Sequence, residues 1–356
     1  MKFTIAIDSK QSLKKGIAFV FLGCYNELSL VIYKFEGGKK MKLATSTGDF
    51  TWYVSELWEK VACFKNSKFR NINLELTTNG EVFFIDDEEA LKTYWEKLES
   101  EREKAGVKFV VAHAPCLHTP IPEALDNPEN KEYKTNIRAF HRALEVCYRL
   151  NIPRVVIHAC ASEAFSKEEF YKYNKMFYSD ILPVAEKYNI IIMTENWDNN
   201  KMHMSTGKEM RDFIEYIGHP LLKACWDTAH GNIDSVARGI GQYDNILALG
   251  DLLKGVHISD NFGNCHHHSW PFAGIINFDS VMQGLLDVNY DGYFTFEASY
   301  TLMHQSNPPY GRAPWTHNGE IVSKLQSPSI ELKEKAVDLL YETGKYMLKT
   351  YNCFEE

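Results

Sequence analysis

Six short apolar runs that each end in an acid or an imidazole limit the fold of this chain more tightly than any other feature. They are residues 107–113 (VKFVVAH), 154–158 (RVVIH), 190–195 (IIIMTE), 222–227 (LKACWD), 253–257 (LKGVH) and 293–297 (YFTFE). Each is brief, apolar and bounded by turn residues, as a strand covered on both faces is. One polar residue at the carboxyl end of such a strand carries little information. Six in series predict that the strand ends meet at one place. The residues brought there are His113, His158, Glu195, Asp227, His257 and Glu297, and carboxylates mixed with imidazoles suit a divalent metal.

Two further strand-like stretches, 42–45 and 71–76, precede these runs. Helical spacing fills the intervals. The segment 51–64 carries Trp52, Val54, Leu57, Trp58 and Val61 on one side, and 88–105 is charged and ended by Gly106. Residues 136–150, 167–188, 206–217, 243–253, 278–288 and 331–350 continue the series, with Ser166 and Ser205 placed as N-cap region residues. Eight strand–helix units predict a single (β/α)8 TIM barrel over residues 41–356. An open doubly wound sheet would want a Gly-rich phosphate loop after its first strand, and the sequence has none. Three long loops, 116–131, 261–277 and 300–328, follow strands and are therefore expected at the carboxyl face, where barrel active sites lie. The last contains Pro308, Pro309, Tyr310, Pro314 and Trp315, a composition that suits a pocket cover or a contact in a homo-oligomer.

The net charge of −8 over 356 residues disfavours a broad nucleic-acid footprint. The eight cysteines form no C-x-x-C pair and read as reduced thiols of a cytoplasmic protein. The apolar stretch 16–24 is too short for a membrane span and is soon interrupted by Asn26 and Glu27, so no membrane partner is expected. Residues 1–40 read as an appendage, or as sequence upstream of a start at Met41.

The motifs Thr194-Glu195-Asn196, Trp226-Asp227-Thr228-Ala229-His230, His257-Ile258-Ser259-Asp260 and 292–297 (GYFTFE) stand at successive strand ends, and 271–278 (PFAGIINF) reads as a turn into the seventh helix. In this order, over residues 42–350, the chain resembles the xylose isomerase-like barrels. That superfamily includes sugar isomerases, sugar 3-epimerases, inosose-handling enzymes and endonuclease IV-type apurinic endonucleases. The epimerase resemblance implies one divalent ion, Mn first with Zn or Co as alternatives, on Glu195, Asp227, His257 and Glu297. It implies a small carbohydrate substrate and proton transfer through an enediolate, with Glu195 and Glu297 as the acid–base pair. His230 would then donate to a substrate oxygen, and His113, His158, His267 and Trp197 are expected in the substrate pocket. The chain departs from the epimerases where they carry an Arg shortly after the seventh-strand His: residues 261–268 here read NFGNCHHH.

The endonuclease resemblance implies three zinc ions on His113, His158, Glu195, Asp227, His230, His257, His267 and Glu297, with Cys265 replacing an Asp. The acidic charge and the lack of a basic or aromatic DNA-reading loop after the early strands weigh against it. A barrel that binds a sugar without turning it over is the third reading. Strand alternation sets Trp226 opposite to Asp227, in the core. Asp260 is expected either to orient a ligand His or to cap a loop, and Glu75 either to reach the pocket or to form a rim ion pair.

Overall fold

Strands that are apolar on both faces can be hidden by closing the sheet on itself and laying helices around it. The computed structural model has this arrangement and describes residues 17–24, 27–34, 39–76, 85–117, 121–127, 129–303, 314–322, 324–325 and 328–356. The first elements, β1 (Ile17–Cys24) and β2 (Glu27–Lys34), pair antiparallel. Of the other residues in the 1–40 expectation, only 39 and 40 are described. The barrel then runs through β3 (Leu43–Ser46), α1 (Leu57–Ala62), β4 (Asn71–Glu75), α2 (Glu88–Ala105) and β5 (Lys108–His113). It continues with α3 (Ile121–Asp126), α4 (Lys131–Arg149), β6 (Arg154–Val156), α5 (Lys167–Tyr188), β7 (Ile191–Glu195) and α6 (Gly207–Ile217). Next come β8 (Leu222–Asp227), α7 (Thr228–Arg238), α8 (Gln242–Leu249), β9 (Leu253–Ile258), α9 (Phe278–Asp287) and β10 (Phe294–Phe296). A short hairpin, β11 (Thr316–His317) with β12 (Glu320–Ile321), precedes the last helix, α10 (Ile330–Thr350).

Strands β3 to β10 close into a parallel barrel, with β10 bonded to both β9 and β3. The entry to β3 is tied to the residues after α10: Met41 N–H donates to Cys353 O at 2.7 Å, and Glu355 N–H donates to Met41 O at 2.9 Å. Alternation along the strands sorts the core into two layers. Ala44, Val111, Val156, Met193 and Cys225 fill the barrel interior. Phe109, Val155, Ile192, Trp226 and Phe294 face outward and share a core with Phe140, Phe177, Phe213 and Val337. Trp226 is fully buried, as alternation predicts, and its Nε1 donates to Gln242 Oε1 at 2.8 Å.

The helix starts follow their capping residues. Ser166 caps α5 and Thr206, next to the expected Ser205, caps α6; each forms a reciprocal pair with the Glu three residues on. Gly106 ends α2 at φ +64°, a conformation that costs other residues strain. The helix expected over 51–64 is shorter, because a 3₁₀ turn, Thr47–Phe50, takes the chain off β3 first. Helix α7 has no counterpart in the sequence expectation. Its buried positions include Thr228, His230, Asn232 and Asp234, so it carries no apolar stripe for a 3.6-residue period to reveal. Helix α3 and the β11–β12 hairpin lie in stretches expected as loops; Pro308, Pro309 and Tyr310 fall outside the described residues. No helix among the described residues is long and apolar enough to cross a membrane.

Candidate metal centre

Barrel registration sets the predicted residues side by side. Asp227 is paired with His257, and His257 with Thr295, two residues before Glu297. Glu195 ends β7 next to Cys225 of β8. Glu195, Asp227, His257 and Glu297 each offer a ligand atom, and these atoms lie within 4.8 Å of one another. Glu195, Asp227 and His257 are buried, and Glu297 keeps 19% of its side chain exposed.

The hydrogen bonding within this group is incomplete. His257 Nδ1 lies 2.9 Å from Glu195 Oε1 and 2.6 Å from Glu297 Oε2, yet one ring nitrogen carries at most one proton. Asp227 Oδ2 is buried without a hydrogen-bond partner, Glu195 Oε2 has only imidazole nitrogens 3.5 Å away, and Glu297 Oε2 must share His257 Nδ1 with Glu195. A buried charge left unpaired costs about 3–5 kcal/mol. A divalent cation among these oxygens removes that cost, so the residues fit a metal. Burial alone raises the Glu195 carboxyl, but His257, His113 and His158 outweigh it and hold it well below its usual range. Glu297 is likewise held low by His257 and His268 against burial, whereas burial dominates at Asp227 and raises it. Cys225 lies beside Glu195 and His257, and burial pushes its thiol up to about 12.

Asn196 fixes the geometry from behind. Its side chain accepts from Asp227 N–H at 2.7 Å and donates to Asp227 O at 3.0 Å. Asp227 Oδ1 in turn accepts from His230 N–H at 2.7 Å and so caps α7.

The second oxygen of Glu195 faces another pair. His113 Nε2 and His158 Nε2 each lie 3.5 Å from Glu195 Oε2 and 3.2 Å from each other. His113 Nδ1 donates to Ala114 O at 2.8 Å, which turns an acceptor Nε2 toward the centre when the ring is neutral. The Trp197 ring is 5.0 Å from that of His158.

The three-His run departs from expectation. His266 and His268, not His267, face His230: Nε2 of His266 is 3.0 Å from that of His230 and 2.5 Å from that of His268. His267 instead packs on Tyr300, with ring centroids 5.1 Å apart. Side chains that alternate along the run send residues 266 and 268 one way and 267 the other; that i, i+2 pairing was the available signal. His230 Nδ1 is 2.9 Å from Asn196 O, an acceptor only, so a neutral ring offers the pocket a lone pair rather than the expected proton. Asp260 acts as a loop cap, its carboxylate accepting from Gly274 N–H at 2.9 Å and Ile276 N–H at 3.1 Å. A Cβ at Gly274 would lie 2.4 Å from that carboxylate, so the close approach needs glycine. Glu75 accepts from Ser46 Oγ at 3.2 Å and stands outside the ligand groups.

Comparison with known proteins follows the geometry. The sequence profile described as "Xylose isomerase-like TIM barrel" matches residues 65–314. Two uncharacterized proteins of Methanocaldococcus jannaschii are 28% identical over 187 residues and 25% identical over 182. These matches span 51% and 49% of this chain, but 63% and 66% of the relatives' lengths. Among solved structures, a D-tagatose 3-epimerase-like protein superposes with a TM-score of 0.62 at 20% identity, covering 88% of this chain and 98% of the other. The D-allulose 3-epimerase from Methylomonas sp. gives 0.64 at 16% identity, covering 87% and 99%. The IolI protein with a bound zinc atom gives 0.62 at 17%, covering 87% and 99%. At these identities the likeness establishes a shared fold.

Proposed function

Since the chain belongs to the xylose isomerase-like TIM barrel family, we propose that it is a divalent-metal-dependent isomerase or epimerase of a sugar or a related polyol or keto compound. The observation that carries this reading is the group Glu195, Asp227, His257 and Glu297, whose ligand atoms lie within 4.8 Å of one another around carboxylate oxygens with incomplete hydrogen bonding. Manganese is the first choice of ion, with zinc or cobalt as alternatives. Bound there, such an ion supplies Lewis-acid polarisation of a substrate carbonyl.

The rest of the chemistry belongs to the chain's own groups. Glu195 and Glu297 stand at the ends of strands three positions apart around an eight-strand barrel, and both approach His257 Nδ1. One, ionised because its carboxyl is held low, takes the proton from the carbon beside the carbonyl, and the other, protonated from solvent before the step, delivers a proton to that carbon. Trp197 and the His113–His158 pair wall the substrate space, and aromatic faces pack well on sugar C–H surfaces. The sugar epimerases and the zinc-containing structure among the fold neighbours support the reading without identifying a substrate. Free cysteines among the described residues support a cytoplasmic setting.

Turnover of a panel of ketoses and inososes with Mn, Zn or Co tests this function. Conversion lost on chelation and restored by metal is the expected result; no conversion of any member leaves a binding-only barrel. A second reading, a multi-metal phosphodiesterase, gains from one observation: Glu195 also faces His113 and His158. Against it stands the net charge of −8. Incision of abasic duplex DNA in zinc at low salt, where phosphate attraction is strongest, is expected to be negligible.

A further inference from the structure

We infer that Lys333 is the positioning residue of Glu297: its buried side chain grips the backbone that follows β10 and so holds that carboxylate against His257. The inference rests on the proposed function, in which Glu297 is a metal ligand and a proton-transfer group. Glu297 needs such a hold. Strand β10 ends one residue earlier, at Phe296, and Glu297 N–H reaches Ile258 O at 3.2 Å. Glu195 and Asp227, by contrast, are the last residues of their strands. The place of Glu297 therefore depends on what fixes the residues after it.

Lys333 supplies that fixation. Its Nζ donates to Thr301 O at 2.9 Å and to Ser299 O at 3.5 Å, with Asp49 Oδ1 3.8 Å away. Asp49 is held in turn, its Oδ2 accepting from Thr45 Oγ1 at 2.6 Å. Thr45 is the register partner of Phe296, the residue before Glu297. The lysine thus ties the chain after Glu297 to the strand that flanks the chain before it. The backbone it grips is strained: Leu302 sits at φ +53°, in the left-handed region. Such conformations persist where the surroundings impose them, and they gather at functional sites. Here the Tyr53 hydroxyl donates to Leu302 O, and Tyr300 N–H donates to His268 O at 3.1 Å.

Stability does not account for a lysine at this place. Lys333 and Asp49 are each 1% exposed. Burial lowers the Lys333 ammonium and raises the Asp49 carboxyl from their usual ranges. At 3.8 Å the two are beyond hydrogen-bond reach, so their attraction offsets less of the desolvation than a close pair does. Lys333 also stands near the start of α10, which Ser329 caps, and a helix dipole disfavours a cation there. A methionine would avoid all three penalties. It would bring no donor to the two carbonyl oxygens beyond Glu297.

Lys333→Met and the double variant Asp49→Asn/Lys333→Met, both in the full-length protein, provide the test. The double variant removes both buried charges and serves if the single one does not fold. Each is followed by amide hydrogen exchange over residues 297–303, by melting temperature, and by affinity for Mn²⁺ or Zn²⁺ in chelator competition. Phe177→Leu, a core change on α5, supplies a loss of stability away from the site. Both Lys333 variants should exchange faster over 297–303, by about tenfold or more. Their metal binding should weaken by about tenfold or more, the low end of what loss of the partners behind a ligand produces. Phe177→Leu should lower the melting temperature and leave the metal affinity at the wild-type value, a split that a merely structural role of Lys333 would not give. Wild-type metal affinity in the Lys333 variants, whatever their melting temperature, would overturn the positioning role and leave the proposed function standing. Unchanged exchange over 297–303 would overturn the grip itself. A wild type that binds no ion at saturating metal overturns the proposed function and this inference with it, so the wild type alone tells the two failures apart.

Discussion

Buried histidines make the centre sensitive to protons when no metal is present. Burial lowers His158 to about 4 and His266 to about 2, whereas nearby carboxylates outweigh burial at His230 and raise it to about 9. For a ring whose folded value lies below the unfolded 6.5, the unfolded chain binds the proton first, so stability falls as pH drops. For His230 the folded chain binds first, so stability rises as pH drops from about 9 toward 6.5. Chelated protein should therefore lose melting temperature steadily from about pH 6.5 to 4; a flat profile over that window contradicts the burial argument. At this scale the convergence of the strand-end residues was legible in the sequence, because a strand fixes where its last residue points. His266 and His268 were less legible. They lie in the loop after β9, where side-chain direction depends on how Asp260 and Tyr300 hold the backbone.

Elements with a strong apolar period were read closely, and those without one were missed. Helix α2 spans Glu88–Ala105 and α5 spans Lys167–Tyr188, the limits their patterns predict. Helix α7 was invisible because its inner face is polar: it grows from the Asp227 cap, and its buried side chains serve the site rather than the core. One residue still ties it to the barrel wall. A Cβ on Gly231 would lie 2.3 Å from Cζ2 of Trp226, itself fixed by Gln242. Gly231→Ala should therefore cost about 1–3 kcal/mol, the usual range for overpacking, although alanine is the better helix former. Urea unfolding checks this. A stabilised variant would show that α7 shifts freely on the barrel, and the cap that Asp227 gives it would lose importance.

For the whole molecule, two kinds of closure matter. The barrel is closed by β10 against β3 and, at its entry, by the bonds between Met41 and the residues after α10. Among the described residues before Met41, Lys39 is tied to the barrel by an exposed ion pair with Asp291, and surface pairs of this kind are worth under about 1 kcal/mol. A chain begun at Met41 should melt within a few degrees of the full one and hold the same metal; insolubility would show that residues 1–40 complete the core. The metal of the proposed function would be the second closure. Because it binds folded protein and relieves unpaired carboxylates, chelation should lower the melting temperature, with recovery scaling with the logarithm of added metal. The barrel class was legible from eight alternating units. The substrate was not, since carbohydrate specificity depends on loops such as 261–277, whose course the strand pattern does not determine.

The central claim is that Glu195 and Glu297 move a proton at a carbon beside a carbonyl, and solvent deuterium incorporation followed by NMR tests it most directly. Across ketoses and inososes in D2O, metal-loaded wild type should exchange the proton at that carbon of at least one compound. Glu195→Gln and Glu297→Gln should each keep most of the metal, since an amide oxygen still coordinates, and lose the exchange by orders of magnitude. Exchange that continues unchanged in both variants, with metal retained, would contradict the account.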